Sequence, residues 1–552
     1  MAPRAPRTDL ATHTVLNQPP PFEDVNLYTT DAALRDAVTR HGAAAHADGF
    51  AAFGAKTGSA ETAELAHQAN RNPPELQVFD RFGGRIDEVS FHPAYHALMA
   101  LGIGHGVTSA AWTAQSAGHV THAALLFMMT QAEAGVCCPM SMTYACVPPL
   151  RHAPDLEAIW APRVRAGQYD AESRPARDKA GATLGMAMTE KQGGSDVRSN
   201  TTAARPQDDG AYELLGHKWF CSAPMSDAFL TLAHVADAGP TCFLVPRWRP
   251  DDSRNPIHIM RLKDKLGDRA NASSEIEYHH AWAVPVGAPG HGVRTIIDMV
   301  HHTRLDCTIA PAAMMRQAVA NAIWHCDHRT AFQRKLIDQP LMQRLLADLV
   351  VESEAATALA FRVAASFDGT AVGDPREKAI SRIATPVGKY WLNKRVPGVV
   401  YEAMEAHGGI GYVEDSGIPR LYRQAPLNSI WEGSGNVICL DVLRALSKSP
   451  EAGDALLAEL DAVHGADPRL DRARTTLVDR LQRPDLDEGE ARRLTESMAV
   501  ALQGACLVRH GPAPVADAFC DTRLDTDSGM SFGTLPSGVD FGAILERGRA
   551  VM

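Results

Sequence analysis

The chain has 552 residues, 45% hydrophobic and 22% charged, with a formal net charge of −11. That length and apolar content suit a multidomain globular protein and exclude a disordered one. The acidic balance excludes a uniformly basic nucleic-acid coat, so any contact with phosphates needs a local basic patch. Ten Cys occur without a Cys-x-x-Cys pair, and Cys137 and Cys138 are adjacent. Reduced, buried thiols and a cytoplasmic protein are expected. The basic start Met1–Arg7 is followed by no apolar run, and no segment reaches the roughly 18 apolar residues of a membrane span.

Residues 1–30 are rich in Pro and polar groups, and Pro19-Pro20-Pro21 cannot sit inside a helix. An extended arm is expected there, lying along the body or reaching a neighbour. Residues 31–180 read as a helical domain. Asp31 is a candidate N-cap before Ala32, Leu34, Ala37 and Val38. His119–Ala134 is apolar nearly all round, which predicts a buried helix. Residues 181–290 read as strands: Phe229–Val235 and Thr241–Val245, then Ile276–Tyr278 and Trp282–Val284. Helices return over 291–446, with Pro340 interrupting one pattern and Leu341–Ala365 resuming it. The tail, 447–552, carries at least two further helices. Asp467-Pro468 is a helix start, with Asp as N-cap and Pro at the first helical position, and Pro484 stops that helix. Helices, then strands, then helices is not the alternation of a doubly wound sheet. The expected fold is mainly α with a β domain in the middle.

Three segments stand out chemically. Gly185–Asp196 reads Gly-Met-Ala-Met-Thr-Glu-Lys-Gln-Gly-Gly-Ser-Asp, and its Gly193-Gly194 pair lets backbone approach a ligand while Thr189 and Ser195 offer hydroxyls. Taken alone such a loop is more often a plain turn. Gly216–Ser222 carries the aromatic Phe220 and the hydroxyl of Ser222; on composition alone Phe220 is as readily ordinary core. Asn428–Asn436 reads Asn-Ser-Ile-Trp-Glu-Gly-Ser-Gly-Asn and sets Glu432 beside apolar Ile430 and Trp431, an arrangement that raises a carboxyl's pKa by desolvation. Adjacent pairs His279-His280 and His301-His302 lack a ligand spacing, so surface or packing roles are expected rather than a metal.

In order and spacing these segments resemble the acyl-CoA dehydrogenase flavoprotein family. Met188–Thr202, Arg261–Gly267 and Asn428–Arg444 resemble its AidB-type, alkylation-response branch, in which Lys191 stands where most members carry Pro. The resemblance runs from about residue 17 to about residue 523. It implies an N-terminal helical domain (31–180), a middle β-sandwich or barrel (181–290), a C-terminal four-helix bundle binding FAD (291–446) and an additional helical domain (447–552). It implies Glu432 as the catalytic base. It implies FAD contacts from Met186, Met188, Thr189, Gly194, Ser195, Phe220, Ser222, Trp431, Gly433, Ser434, Gly435 and Asn436. Arg329 and Phe332, with the loop Gly408-Gly409, resemble the signature that reaches a neighbour's FAD, which implies a homotetramer; Gln333 replaces the usual Gly after Phe332.

The same branch implies double-stranded DNA as a partner. Residues 447–552 hold twelve Lys and Arg against eighteen Asp and Glu, a net of −6, which is a poor uniform phosphate binder. At 100° per residue, however, Arg469, Arg472, Arg480 and Arg483 share an arc of roughly 80° on one helix, with Leu470, Leu477 and Leu481 beside it. Arg444 and Arg523 match further basic positions. Three functions are open: an AidB-type flavoprotein that binds DNA in the alkylation response and retains weak dehydrogenase activity, a metabolic acyl-CoA dehydrogenase of short or branched acyl-CoA with no DNA role, or a flavin-carrying structural protein with neither activity.

Overall fold

The computed structural model describes residues 6–483, 487–525 and 529–550. Residues 6–30 hold no helix and lie along the body. The Trp324 indole donates to the Pro20 carbonyl at 2.8 Å, and Asn17 brackets Thr330 with two 2.8 Å hydrogen bonds.

Helices α1 (Ala32–Arg40), α2 (Ala47–Thr57) and α3 (Ala60–Arg71) follow. Asp31 caps α1 by accepting from the Leu34 N–H at 3.0 Å. A hairpin, β1 (Glu75–Phe79) and β2 (Arg85–Ser90), then interrupts the region expected to be helical throughout. Its alternating half-buried pattern is short and polar enough to be read as loop. Helices resume with α4 (Pro93–Gly104), α5 (Ala110–Thr113), α6 (Gly118–Ala132), α7 (Ala134–Ala145), α8 (Val147–Leu150) and α9 (Pro154–Val164). Every residue of α6 is buried, as its uniform apolarity requires.

The middle domain is a barrel. Strands β3 (Leu184–Ala187), β4 (Ala203–Pro206), β5 (Tyr212–Ser222), β6 (Ala228–Val235), β7 (Gly239–Pro246), β8 (Ile257–Leu262) and β9 (Ser273–Pro285) form one sheet. The circuit β6–β4–β5–β9–β7 closes back on β6, and β3 and β8 extend it beside β6 and β9. Ile276–Tyr278 and Trp282–Val284, expected as separate segments, belong to the single strand β9. They are joined across a bulge where His280 takes φ +60°. The bulge turns both His279 and His280 outward, against the alternation expected of adjacent strand residues, and they pair with Glu277 and Glu213.

The C-terminal half is built on α10 (Gly292–His328), α11 (Pro340–Ala371) and α12 (Pro375–Ala406), packed on one another. Between α10 and α11 lies a small hairpin, β10 (Thr330–Ala331) and β11 (Arg334–Lys335). Pro340 begins α11 at its first turn, where its missing N–H costs nothing. Then come α13 (Ile418–Gln424) and α14 (Gly435–Lys448), the latter packed on α12. Among its described residues the tail adds five α-helices: α15 (Pro450–Asp461), α16 (Pro468–Leu481), α17 (Ala491–His510), α18 (Ala513–Arg523) and α19 (Phe541–Gly548). Asp467 caps α16 as expected; Pro484, expected to stop it, lies outside the described residues. Leu470 and Leu477 of α16 are buried and Leu481 partly so. The tail is not detached: α17 packs on α11, α12 and α14, and one apolar core runs from Leu34 through Phe361 to Leu545.

Candidate active site

Glu432 sits on the turn that leads into α14. Its backbone has φ +57° and that of Gly433 φ +101°. The first is unusual for a residue with a Cβ and is held by neighbouring side chains. The Lys389 ammonium on α12 donates to the Trp431 carbonyl at 2.9 Å and the Gly433 carbonyl at 2.7 Å. Arg304 on α10 donates to the Glu432 carbonyl at 3.0 Å and pairs with Asp441 at 2.9 Å. The Trp431 indole donates to Asn428 Oδ1 at 2.6 Å. The carboxyl itself accepts from the Thr303 hydroxyl at 2.9 Å.

Burial is the largest influence on Glu432 and pushes its pKa up; Thr303, Arg304 and Lys389 oppose it. Ile430, expected to supply part of that apolar wall, is 65% exposed and does not. Trp431 instead packs beside a cluster that Met186, Met188 and Trp112 also border. Burial likewise lowers the Lys389 ammonium to about 8.

The loop joining β3 to β4 carries Thr189, Gly194 and Ser195. A buried ion pair fixes its base. Glu190 meets Lys218 of β5 at 2.8 Å with both side chains fully enclosed, and Glu190 also accepts from the Thr201 and Thr202 N–H groups at 2.6 and 3.2 Å. Burial pushes the Glu190 carboxyl up, but the Lys218 charge and these hydrogen bonds outweigh it and bring it down to about 2. Thr189 is tied to β5 by its carbonyl, which accepts from the Trp219 N–H at 2.7 Å. Gly194 and Ser195 are exposed, and the hydroxyls of Thr189 and Ser195 bond no protein group among the described residues.

Phe220 is 48% exposed, with the Lys263 ammonium 4.7 Å from its ring centre. Ser222 shares a hydrogen bond with Ser273, 3.2 Å, and Ser273 receives one from Lys265 at 3.0 Å. Lys265 also holds Asp268 at 2.9 Å, and the Asp268 N–H donates to Gln424 of α13 at 2.7 Å, joining barrel to bundle. Cys138 on α7 is buried beside Ser222, and the charges of Asp268, Lys265 and Glu432 reach it. Free hydroxyls, an open aromatic face and nearby cations suit a flat ring system with an anionic tail, so these residues fit a flavin nucleotide. Ser434 and Asn436 are exposed at the first turn of α14, whose free N–H groups favour negative charge.

A second set lies apart. Arg329 and the Gly408-Gly409 loop line a cleft of about 1710 Å³ that also borders Arg269, Arg420 and Arg423. Gly408 adopts φ +66° and a Cβ there or at Gly409 would meet open space. Phe332 is 89% exposed at the tip of the β10–β11 hairpin. Phe332 and Gln333 have φ +50° and +63°, so Gln333 keeps the left-handed turn that its usual Gly would favour.

The arginines expected to face phosphates differ among themselves. Arg469 is only 15% exposed, clamped by Asp467 and Asp517 at 2.6 Å each and by Asp521. Arg523 is 13% exposed and pairs with Asp348 and Glu352. These two are corrected from surface cations to internal ion-pair partners, because carboxylates of α11 and α18 satisfy them. Arg480 donates to Ser497 and Arg483 pairs with Glu490 at 3.1 Å. Arg472 and Arg444 are 61% and 60% exposed, with Asp525 and Asp441 at 4.0 and 3.6 Å.

Sequence reasoning missed Thr303, Arg304, Lys389 and the Glu190–Lys218 pair as parts of the site. Lys218 and Glu190 lay inside the motifs already singled out. The first three come from long helices with nothing local to mark them.

Three family models match: the adaptive response protein AidB N-terminal domain over residues 17–171, the acyl-CoA dehydrogenase middle domain over 185–281 and the acyl-CoA dehydrogenase C-terminal domain over 290–447. AidB of Escherichia coli (strain K12) is 45% identical over 522 residues, 94% of this chain and 96% of its own. The chain belongs to the acyl-CoA dehydrogenase family. Within it the chain is of AidB type, and FAD is the cofactor of the family. The structure of Caenorhabditis elegans ACDH-11 in complex with C11-CoA matches with a TM-score of 0.83 at 27% identity, covering 94% of this chain and 95% of that one. The Bacillus anthracis acyl-CoA dehydrogenase complexed with FAD shares the fold, with a TM-score of 0.64 at 17% identity over 78% of this chain and 80% of its own. No helix among the described residues is long and apolar enough to cross a membrane.

Proposed function

We propose that this protein oxidises an acyl-CoA thioester between Cα and Cβ, with Glu432 as the base. The observation that carries this reading is the Glu432 carboxyl, burial-raised yet aimed by a turn that Lys389 and Arg304 hold from behind. A base needs a pKa near the working pH and a fixed direction of attack. Glu432 takes the proton from the carbon next to the thioester carbonyl as a hydride leaves the adjacent carbon. FAD, when bound, supplies the hydride acceptor that no side chain can provide. Phe220 and Ser222 would meet its ring, Thr189 and Ser195 its ring or phosphate, and Asn436 with residues 433–435 its adenine-side phosphates or ribose; Met186, Met188, Gly194 and Trp431 would complete the contacts. Glu432→Gln keeps the shape but cannot take a proton. It should lower turnover by roughly two to four orders of magnitude with FAD content unchanged; unchanged turnover would place the base elsewhere.

A second reading adds double-stranded DNA and a role in the response to DNA alkylation, as the AidB resemblance implies. What supports it is the outward position of Arg444 and Arg472. Retention of duplex DNA at low salt tests it; no retention would leave the acyl-CoA reading alone. The ten free cysteines, nine of them buried, support a cytoplasmic location.

A further inference from the structure

Thr303 has two acceptors within reach of one hydroxyl. Its Oγ1 lies 2.9 Å from Glu432 Oε2 and 3.1 Å from the Val300 carbonyl oxygen one turn back in α10. A hydroxyl has one proton to give and lone pairs with which to receive. Both contacts cannot be donations at the same moment. When Glu432 is ionised its carboxylate only accepts, so Thr303 donates to it. When Glu432 holds a proton, its O–H donates to Thr303 Oγ1 and the threonine proton turns to the Val300 carbonyl. Each protonation state then has its partners with no movement of heavy atoms.

The surroundings single this hydroxyl out. Thr303 is buried, which limits competition from water. The charged and titratable groups facing Glu432 are Arg304, Asp306 and Cys307 on α10, Lys389 on α12 and Cys138 on α7. Arg304 and Lys389 spend their hydrogen bonds on the backbone of the turn and on Asp441. One oxygen of Asp306 is taken by His122 at 2.9 Å, and the other has no hydrogen-bond partner among the described residues. Thr303 is thus the one side chain among the described residues that hydrogen-bonds the carboxyl.

We propose that Thr303 is a positioning residue that reverses its hydrogen bond as Glu432 gains and loses the substrate proton. This rests on the reading of Glu432 as the base. Removing the hydroxyl takes a partner from both forms, but the bond to the ionised carboxylate is charge-assisted and the stronger of the two, so the Glu432 carboxyl should titrate at higher pH.

The test uses the FAD-loaded protein and three variants, Thr303→Val, Thr303→Ser and Glu432→Gln. Infrared difference titration follows the protonated carboxyl band that Glu432→Gln lacks, and it needs no turnover. The midpoint should rise by about one pH unit in Thr303→Val and return to the parental value in Thr303→Ser. With butyryl-CoA, the acid limb of kcat/KM should move up by the same amount. At a pH on that limb Thr303→Val should be about tenfold slower, converging on the parent at alkaline pH. A Thr303→Val midpoint equal to the parent's would overturn the proposal. So would a Thr303→Ser shift as large as that of Thr303→Val, because the hydroxyl would then not be the cause. If butyryl-CoA fails to reduce the parental flavin, the base reading is what suffers, and the infrared midpoints still decide the role of Thr303.

Discussion

Glu432 stands in a left-handed conformation that costs a residue with a Cβ about 1–3 kcal/mol, and such strain persists only where neighbours over-determine it. Lys389 is the strongest of those neighbours, because one ammonium spans the carbonyls on both sides of Glu432. Lys389→Met keeps the packing volume and removes both hydrogen bonds. The carboxyl should then wander from its line of attack, and kcat should fall by roughly 100-fold while FAD stays bound. Equal kcat in the variant would show that the turn holds itself. The motif around Glu432 was legible in sequence as a run of nine residues. Its supports were not, since Thr303, Arg304 and Lys389 lie far away along two helices and meet the turn only once α10 and α12 pack.

At the scale of an element, the β3–β4 loop hangs on the enclosed Glu190–Lys218 pair. Glu190→Gln leaves a buried ammonium uncompensated, which costs about 3–5 kcal/mol, whereas replacing both partners by apolar residues of similar volume is often close to neutral. Glu190→Gln should therefore lower the melting temperature and weaken FAD retention, and Glu190→Leu with Lys218→Met should recover most of both. A double variant no better than the single would mean the charges are needed in themselves. The pH dependence has a definite sign. Glu190 is held near 2 in the fold against roughly 4.3 in an unfolded chain. Its stabilisation is fully present above the unfolded value and is lost as pH falls toward 2. Acid release of FAD should follow that window in the parent and be shallower in the double variant.

The helix α16 was also legible, cap and apolar face included, because Asp467-Pro468 and the leucine spacing are local signals. The fate of its arginines was not. Asp517 and Asp521, which clamp Arg469, arrive on α18 about fifty residues later. If Arg472 on α16 and Arg444 on α14 meet phosphates, Arg472→Gln with Arg444→Gln should lower the log–log salt slope of duplex binding by roughly 2, while Arg469→Gln should act on stability instead. An unchanged slope in the first variant would remove these two cations from any DNA surface.

The whole molecule joins four sequence regions into two structural bodies of unlike kind, a closed barrel and a continuous helical mass. The tail was expected as an addition, yet α17 and α19 bury apolar surface against α11 in the same core as the bundle. That continuity could not be read from composition, which gives each helix its apolar face but not its partner. The N-terminal hairpin β1–β2 escaped for the opposite reason: its strands are short, polar and only half-buried. Arg329 and the Gly408-Gly409 loop border a cleft whose lining excludes the Glu432 turn, Phe332 is exposed at the tip of the nearby hairpin, and the family resemblance assigns all of them to a neighbour's FAD. A homotetramer is accordingly expected by light scattering, with Arg329→Ala losing FAD. A monomer that retains FAD would contradict it.

The most direct test is an anaerobic titration of the purified protein with acyl-CoA thioesters, following the oxidised flavin absorption. The parent should carry bound FAD and bleach with at least one thioester, and Glu432→Gln should carry the same FAD and stay oxidised. Loss of absorption that is equal in both proteins, or absent from the parent across short, branched and long chains, would contradict the assignment of Glu432 as the base of an acyl-CoA oxidation.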